Sequence, residues 1–167
     1  MLLVEREKEE LISRVASFID RVYEEERVVK YICVEMASCM DIDDKSLDDM
    51  LENIEAGFKE TLFRYIDEKG LDDVECYKRA GVDKKTFSKI RCNKNYKPSK
   101  DTVISFALAL RLNLDETAHL LNTVGMSLSH SSKFDVIIEY FITTGDYKNI
   151  LEVNDTLYRF GERIIGE

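Results

Sequence analysis

The side chains most suited to chemistry in this sequence are the basic ones of residues 84–100, KKTFSKIRCNKNYKPSK. This segment has seven lysines and arginines and no acidic residue, in a chain of 167 residues whose formal net charge is −9. Basic side chains at this density bind polyanions, and their confinement to one segment favours a defined anionic partner over a generally adhesive surface. Residues 61–132 have 12 basic and 9 acidic side chains, whereas the parts of the chain on either side are net negative.

Residue types found in catalytic and metal sites are present, but their spacing does not suit such sites. His119 and His130 are far apart, and no phosphate-binding glycine loop, GxSxG or HExxH pattern occurs. The acidic segment 41–49 lacks the glycine and the final glutamate of an EF-hand loop. The four cysteines, which form no CxxC pair, are typical of reduced thiols in a cytosolic protein: Cys33, Cys39, Cys76 and Cys92. We therefore expect no enzyme activity, no cofactor and no metal.

The composition predicts an all-α protein. There is one proline and there are only seven glycines, so long helices meet few breaks. No run of 18 uncharged apolar residues occurs, which argues against a membrane span. The first ten residues become acidic at once and do not resemble a signal peptide, so we expect a cytoplasmic protein.

The N-terminal region has an apolar stripe at helical spacing. Leu11, Val15, Phe18 and Val22 form it, and it resumes after the acidic residues 24–26. The pattern predicts either one long amphipathic helix or two that meet near these acidic residues, and packing within the chain or a dimer seam suits it equally well. A linker is predicted near 41–46, and Ser46 with Asp49 forms a capping box for a second helical region.

Five short helices are predicted between residues 58 and 125. Gly70, Gly81 and Gly125 end three of them, because glycine readily adopts the left-handed conformation after a helix. The other boundaries come from side chains that cap helix starts, namely Asp83, Ser99 and the pair Asn113–Glu116.

Two further helices are predicted after His130. Ser132 and Asp135 open the first, which ends at Gly145, and the second lies near 149–160. Both are too short and too apolar to be stable alone, so they should pack on the preceding helices or on a partner subunit.

The residues between the second and third of the five short helices have a specific pattern. Residues 71–83 read LDDVECYKRAGVD, in which Gly81 supplies a turn, Val82 a buried corner residue and Asp83 a cap. With Phe87 and Ile90 after the corner and Pro98–Ser99 before the fourth helix, the segment 58–125 resembles the Cro/λ-repressor-type (XRE-like) helix-turn-helix family. Further positions match that family's packing residues in its last two helices: Ala107, Leu110, Leu114, Glu116, Leu120 and Leu121.

This resemblance implies a five-helix λ-repressor-like domain that binds double-stranded DNA, with the helix after the corner in the major groove. On that helix Lys84, Lys85 and Lys89 can reach guanine or phosphate oxygens, and Thr86 can contact a thymine methyl group. The candidate DNA-binding residues are Lys84, Lys85, Thr86, Ser88, Lys89 and Arg91 on the helix, and Lys94, Tyr96, Lys97 and Lys100 after it.

Three departures from the family pattern favour an alternative, one of which is a slightly longer loop after Cys92. The family usually has glutamine at the start of its second helix, where this chain has Asp73, and a small residue where this chain has Tyr77. A protein–protein adaptor with the same fold and no DNA binding would fit these changes, and a solvated lysine-rich helix face would explain the basic segment without any partner.

The predicted organisation therefore has three parts. Residues 1–45 form a helical extension with possible dimer contacts, and their acidic side chains could meet a protein partner. Residues 46–128 form the helix-turn-helix domain of a transcriptional regulator that is expected to be a homodimer. Residues 129–167 form a helical segment that packs on the core or on a partner subunit.

Overall fold

The computed structural model describes residues 2–36, 56–93 and 96–166, with side chains in the first range from residue 6 to residue 23. The chain divides into two compact units, Met1–Glu55 and Ala56–Glu167. Every regular element in the described residues is a helix, so the all-α prediction is confirmed for them. No helix within these ranges is long and apolar enough to cross a membrane.

The first unit has one described element, the 35-residue helix α1 (Leu2–Met36). Its predicted stripe lies on one side: Val15 and Val22 are buried together with Ile19, and Leu11 and Phe18 are half-buried. The sequence allowed one helix or two, and the backbone is a single helix through residues 24–26. The predicted linker at 41–46 and the Ser46–Asp49 capping box lie outside the described residues.

The second unit has seven helices, α2 to α8. Their bounds are α2 (Phe58–Glu68), α3 (Asp73–Arg79), α4 (Lys84–Cys92), α5 (Lys100–Ala109), α6 (Leu114–Asn122), α7 (Lys133–Thr144) and α8 (Ile150–Arg159). The predicted boundaries are confirmed because they depend on local chemistry. Asn113 and Glu116 form the capping box of α6, and Ser99 accepts a hydrogen bond from the Thr102 amide at the start of α5.

Helix α5 is the centre of the second unit. Residues 103–108 are buried all round, as expected for a helix that is apolar on every face. It packs against α3, α6 and α8, and α6 and α8 in turn pack against α7. The remaining large core side chains come mainly from α2, α4 and α7, among them Leu62, Ile66, Ile90, Phe134 and Phe141.

The family resemblance implies that Leu114 packs in the core, and this prediction is wrong. Leu114 is 39% exposed, because it is the first residue of α6 and points away from the core that Leu120 and Leu121 enter one to two turns later. The partner position, Glu116, has its carboxylate in the capping box and 3.4 Å from the Lys69 ammonium group.

The C-terminal segment after α8 returns to the end of α3. Asn154 holds it through two hydrogen bonds with the backbone of Ile165, donating to the carbonyl at 2.7 Å and accepting from the amide at 2.9 Å. Gly166 then passes so close that an added Cβ would lie 2.9 Å from the Ala80 carbonyl oxygen. The segment therefore packs beside the corner between α3 and α4.

Candidate nucleic-acid interface

The corner between α3 and α4 is formed by a left-handed glycine. Gly81 has φ +62°, and two hydrogen bonds close the end of α3: the Val82 amide donates to the Tyr77 carbonyl at 3.0 Å, and the Gly81 amide donates to Lys78 at 3.1 Å. This is the Schellman arrangement, in which glycine avoids the steric cost of a side chain at positive φ. Val82 is buried, as predicted for the corner residue.

Helix α4 begins at the Asp83 carboxylate. This carboxylate accepts hydrogen bonds from the amides of Lys85 at 2.7 Å and Thr86 at 3.1 Å, and from the Thr86 hydroxyl at 2.5 Å. These hydrogen bonds, those from Thr86 above all, hold the pKa of Asp83 below its usual value. The Thr86 hydroxyl therefore takes part in the cap, which leaves its methyl group for other contacts.

The inner face of α4 is fixed by aromatic packing. Phe87 is buried, and its ring centroid lies 5.8 Å from that of Phe63, 5.5 Å from Tyr77 and 6.0 Å from Phe106. Aromatic contacts at these distances stabilise beyond the area they bury. Tyr77, which is larger than the residue usual in the family, thus packs against the helix after the corner.

The outer face of α4 is basic and exposed. Lys84, Lys85, Ser88 and Lys89 line one shallow, open depression, together with Cys92 and Asn93. The predicted exposure of the three lysines and the predicted burial of Phe87 and Ile90 are confirmed. We call Lys84, Lys85, Ser88 and Lys89 the outer face of α4.

Arg91 has partners within the protein. Its guanidinium forms a salt bridge with Asp73 at the start of α3, and it lies 5.0 Å from the centroid of the Phe63 ring. Asp73 is not the cap of α3, because Asp72 accepts the hydrogen bond from the Glu75 amide at 2.7 Å. Arg91 and Asp73 therefore join the two helices on either side of the corner.

The candidate DNA-binding residues that follow α4 have different surroundings. The Lys100 ammonium group donates to Asp135 of α7 at 2.5 Å, and the Asp135 side chain is buried. Lys97 is exposed and Tyr96 is half-buried. Lys94 lies outside the described residues. Of the ten candidates, four form the outer face of α4, and Arg91 and Lys100 bind carboxylates of the same chain.

Sequence reasoning missed two members of the depression, Cys92 and Asn93. The signal was present, because these residues follow Ser88 and Lys89 by four positions and so lie on the same side of a helix. Cys92 is exposed, whereas burial raises the pKa of the Cys76 thiol to about 12.

The two histidines contact other polar side chains without forming a cluster together. The Nδ1 atom of His119 lies 3.2 Å from the Tyr65 hydroxyl, and the Nε2 atom of His130 lies 2.7 Å from a Glu139 carboxylate oxygen. Among the residues that the structure describes, no group of three histidine, cysteine or acidic side chains is placed to hold a metal ion.

Comparison with protein-family models, with curated proteins and with solved structures found no match to this chain. The candidate interface is therefore judged on its own geometry and electrostatics.

Proposed function

We propose that the protein is a transcriptional regulator that binds duplex DNA, and that helices α2 to α6 act as a λ-repressor-like helix-turn-helix domain. The observation that carries the proposal is the basic outer face of α4, which is held in place by the buried Phe87 and Ile90 on the other side of the same helix. A reading helix needs this combination, because its core side must be rigid while its polar side reaches base edges and phosphates.

The first turn of α4 adds electrostatic support. The positive end of the helix macrodipole favours acidic side chains in a first turn. All six other helices between residues 56 and 166 have one there: Glu60, Asp73, Asp101, Asp115, Asp135 and Glu152. Helix α4 has none and places Lys84 and Lys85 there instead. The Asp83 cap occupies the free amides of this helix end, and a DNA phosphate would neutralise the added charge of Lys84 and Lys85.

The salt bridge of Asp73 bears on the adaptor alternative. That alternative rests on the charge of Asp73, which would repel a DNA phosphate if it were unpaired. Arg91 provides an opposite charge in direct contact, so the start of α3 does not present an uncompensated carboxylate. The adaptor hypothesis is favoured only if the outer face of α4 shows no affinity for DNA.

The most direct test is a titration of fluorescent duplex DNA of random sequence at two salt concentrations, about 50 and 200 mM. We expect binding that weakens with salt, and selection from the random pool should then enrich a defined sequence. The double variant Lys85→Ala/Lys89→Ala should reduce the salt slope by about one for each lysine that contacts the backbone, with almost no change in melting temperature.

Lys133→Ala is the matched control, because Lys133 is an exposed lysine of α7 and lies outside α4. Its duplex affinity should equal that of the wild type. Undetectable binding by the wild-type protein at 50 mM salt would overturn the proposal in favour of the adaptor. A double variant that melts much earlier would show that the lysines are structural.

The proposal includes a homodimer, since helix-turn-helix proteins commonly bind two half-sites about 34 Å apart. Light scattering at micromolar concentration, with and without the enriched duplex, tests this part. A monomer under both conditions would rule the dimer out.

A further inference from the structure

A second cationic site lies outside the α4 face. A cavity of about 360 Å³ is enclosed by the end of α3, the end of α5, the segment before α8 and the first residue of α8. Its basic lining residues are Arg79, Arg111 and Lys148, and no lining residue is acidic. The chain as a whole has a net charge of −9, and the volume of the cavity lies in the range of small-molecule sites.

Arg111 occupies the left-handed position that ends α5, and its side chain lines the cavity. Its φ is +50°, and it is the one residue other than glycine with a positive φ in the described part of the chain. Its Nη2 donates to the Tyr147 carbonyl at 2.8 Å, and its guanidinium lies 4.7 Å from the centroid of the Tyr147 ring. The Tyr147 hydroxyl donates in turn to the Leu108 carbonyl at 2.9 Å. A guanidinium fixed at one edge keeps its other N–H groups oriented, which lowers the entropic cost of binding an anion.

The other two cations are available to a ligand. Arg79 pairs with Glu75, and the Lys148 ammonium group lies 3.8 Å from the Glu152 carboxylate, but both pairs are largely exposed. Exposed ion pairs contribute little to stability, so a doubly charged anion can replace them at small cost. Neither carboxylate lines the cavity.

The remaining walls indicate what else the ligand contains. The half-buried Ile150 supplies apolar surface beside the cations, so the site suits a molecule with a short carbon skeleton as well as charge. Three basic groups around one cavity match a phosphate dianion better than a single carboxylate.

We propose that this cavity binds a small phosphate ester. The phosphate lies among Arg79, Arg111 and Lys148, and the carbon skeleton lies against Ile150.

The cavity is also in contact with the corner. The Ile150 Cγ2 atom is 3.9 Å from the position that a Cβ on Gly81 would occupy. A ligand that shifts Ile150 therefore changes the packing beside Gly81, just before the start of α4. Through this change, the bound ester would act as an effector of DNA affinity. This second step rests on the proposed function, whereas the binding step does not.

The binding step is tested on the full chain without DNA, with inorganic phosphate and glycerol phosphate as probes at constant ionic strength. We expect saturable changes in the amide NMR signals of residues 109–111 and 147–151, and tighter binding of the ester than of inorganic phosphate. Arg79→Gln and Lys148→Gln should each weaken binding about fivefold or more, in line with the loss of a charged hydrogen bond. Glu75→Gln should strengthen it, because it removes the competing carboxylate.

Lys85→Ala/Lys89→Ala is the matched control and should bind both probes as the wild type does. Signal changes that are confined to α4 and lost in this control would overturn the proposal. The absence of saturation at about 20 mM phosphate would also overturn it, because a site with a Kd of about 1 mM is nearly full at that concentration. Because Arg79 and Lys148 are more than half exposed, the variants should remain folded, and amide spectra without ligand verify this.

The duplex titration then separates the two proposals. Phosphate binding by a protein with no affinity for DNA supports the cavity and refutes the DNA-binding function. DNA binding by a protein that binds neither inorganic phosphate nor glycerol phosphate supports the DNA-binding function and refutes the phosphate site in the cavity.

Discussion

Helices α3 and α4 begin with the same kind of cap, but the side chains of their first turns have opposite charges. Each starts at an aspartate cap, Asp72 or Asp83. Helix α3 continues with acidic residues in its first turn and ends with Lys78 and Arg79, an order that suits its macrodipole at both ends. Helix α4 places lysines at both ends, so its first turn opposes the dipole. The comparison teaches that the charges of α3 follow its macrodipole at both ends, whereas the first turn of α4 does not, and this difference is what the proposed anionic partner would explain.

The largest expected effect comes from breaking the packing that α3 and α4 share. Phe87→Ala removes a buried ring that contacts Phe63, Tyr77 and Phe106, and should lower the free energy of unfolding by about 3–5 kcal/mol. Urea unfolding measures this loss. Lys89→Ala, on the opposite side of the same helix, should change the stability by less than about 0.5 kcal/mol. Equal losses in the two variants would mean that the two faces are not distinct.

The next largest effect is expected from a double variant that should raise stability and lower DNA affinity. Lys84→Glu/Lys85→Glu gives α4 the acidic first turn that α3 has, so the free energy of unfolding should rise by up to about 1 kcal/mol. Duplex affinity should fall by about 100-fold or more, because two phosphate contacts become repulsions. Thermal melting and duplex titration give the two values. A fall in both, or a rise in both, would contradict the assignment of this turn to DNA.

A smaller effect is expected at the salt bridge that links the two helices. Asp73→Gln introduces a hydrogen-bond donor for a DNA phosphate at the start of α3 and releases Arg91 from its salt bridge. Duplex affinity should increase by about 1–2 kcal/mol, or roughly tenfold. The free energy of unfolding should change by less than about 1 kcal/mol because the pair is partly exposed. If the variant shows no duplex binding at low salt, the adaptor hypothesis replaces the DNA-binding one.

The smallest effect concerns the cap of α4 and its pH dependence. Hydrogen bonds lower the pKa of Asp83 in the folded protein below its unfolded value of about 3.9. At a pH between the folded and the unfolded pKa, the unfolded chain therefore binds more protons than the folded one. The cap therefore contributes its stability above about pH 4 and loses it as the pH falls through the folded pKa. Asp83→Asn keeps a capping side chain but removes this titration.

Urea unfolding at about pH 5 and pH 3 should therefore show a shallower decline for Asp83→Asn than for the wild type. An identical pH dependence in the two proteins would place the acid sensitivity elsewhere.

The helix boundaries could be predicted because they depend on neighbours in sequence. A glycine such as Gly81, or a pair such as Asn113 and Glu116, acts within a few residues, so its effect is visible without a fold. The split of α4 into an outer and an inner face follows from helical spacing for the same reason.

The partners of individual basic side chains could not be predicted, since they come from distant parts of the chain. Arg91 meets Asp73 and Lys100 meets Asp135 only after α3 and α7 have packed. The same holds for the cavity around Arg111, which three separate segments of the chain line. Leu114 shows a different limit, because a packing position transferred by resemblance fell at the exposed start of a helix.

The all-round burial of α5 has a consequence for how the second unit opens. A helix that is apolar on every face cannot be displaced into water without exposing most of the core, so its amide protons should exchange with solvent only in global unfolding. Helix α4 buries only Phe87 and Ile90 and exposes its outer face, so its amide protons should exchange faster than those of α5. The unit should thus combine a slowly exchanging centre with an outer helix whose amide protons exchange before the core opens.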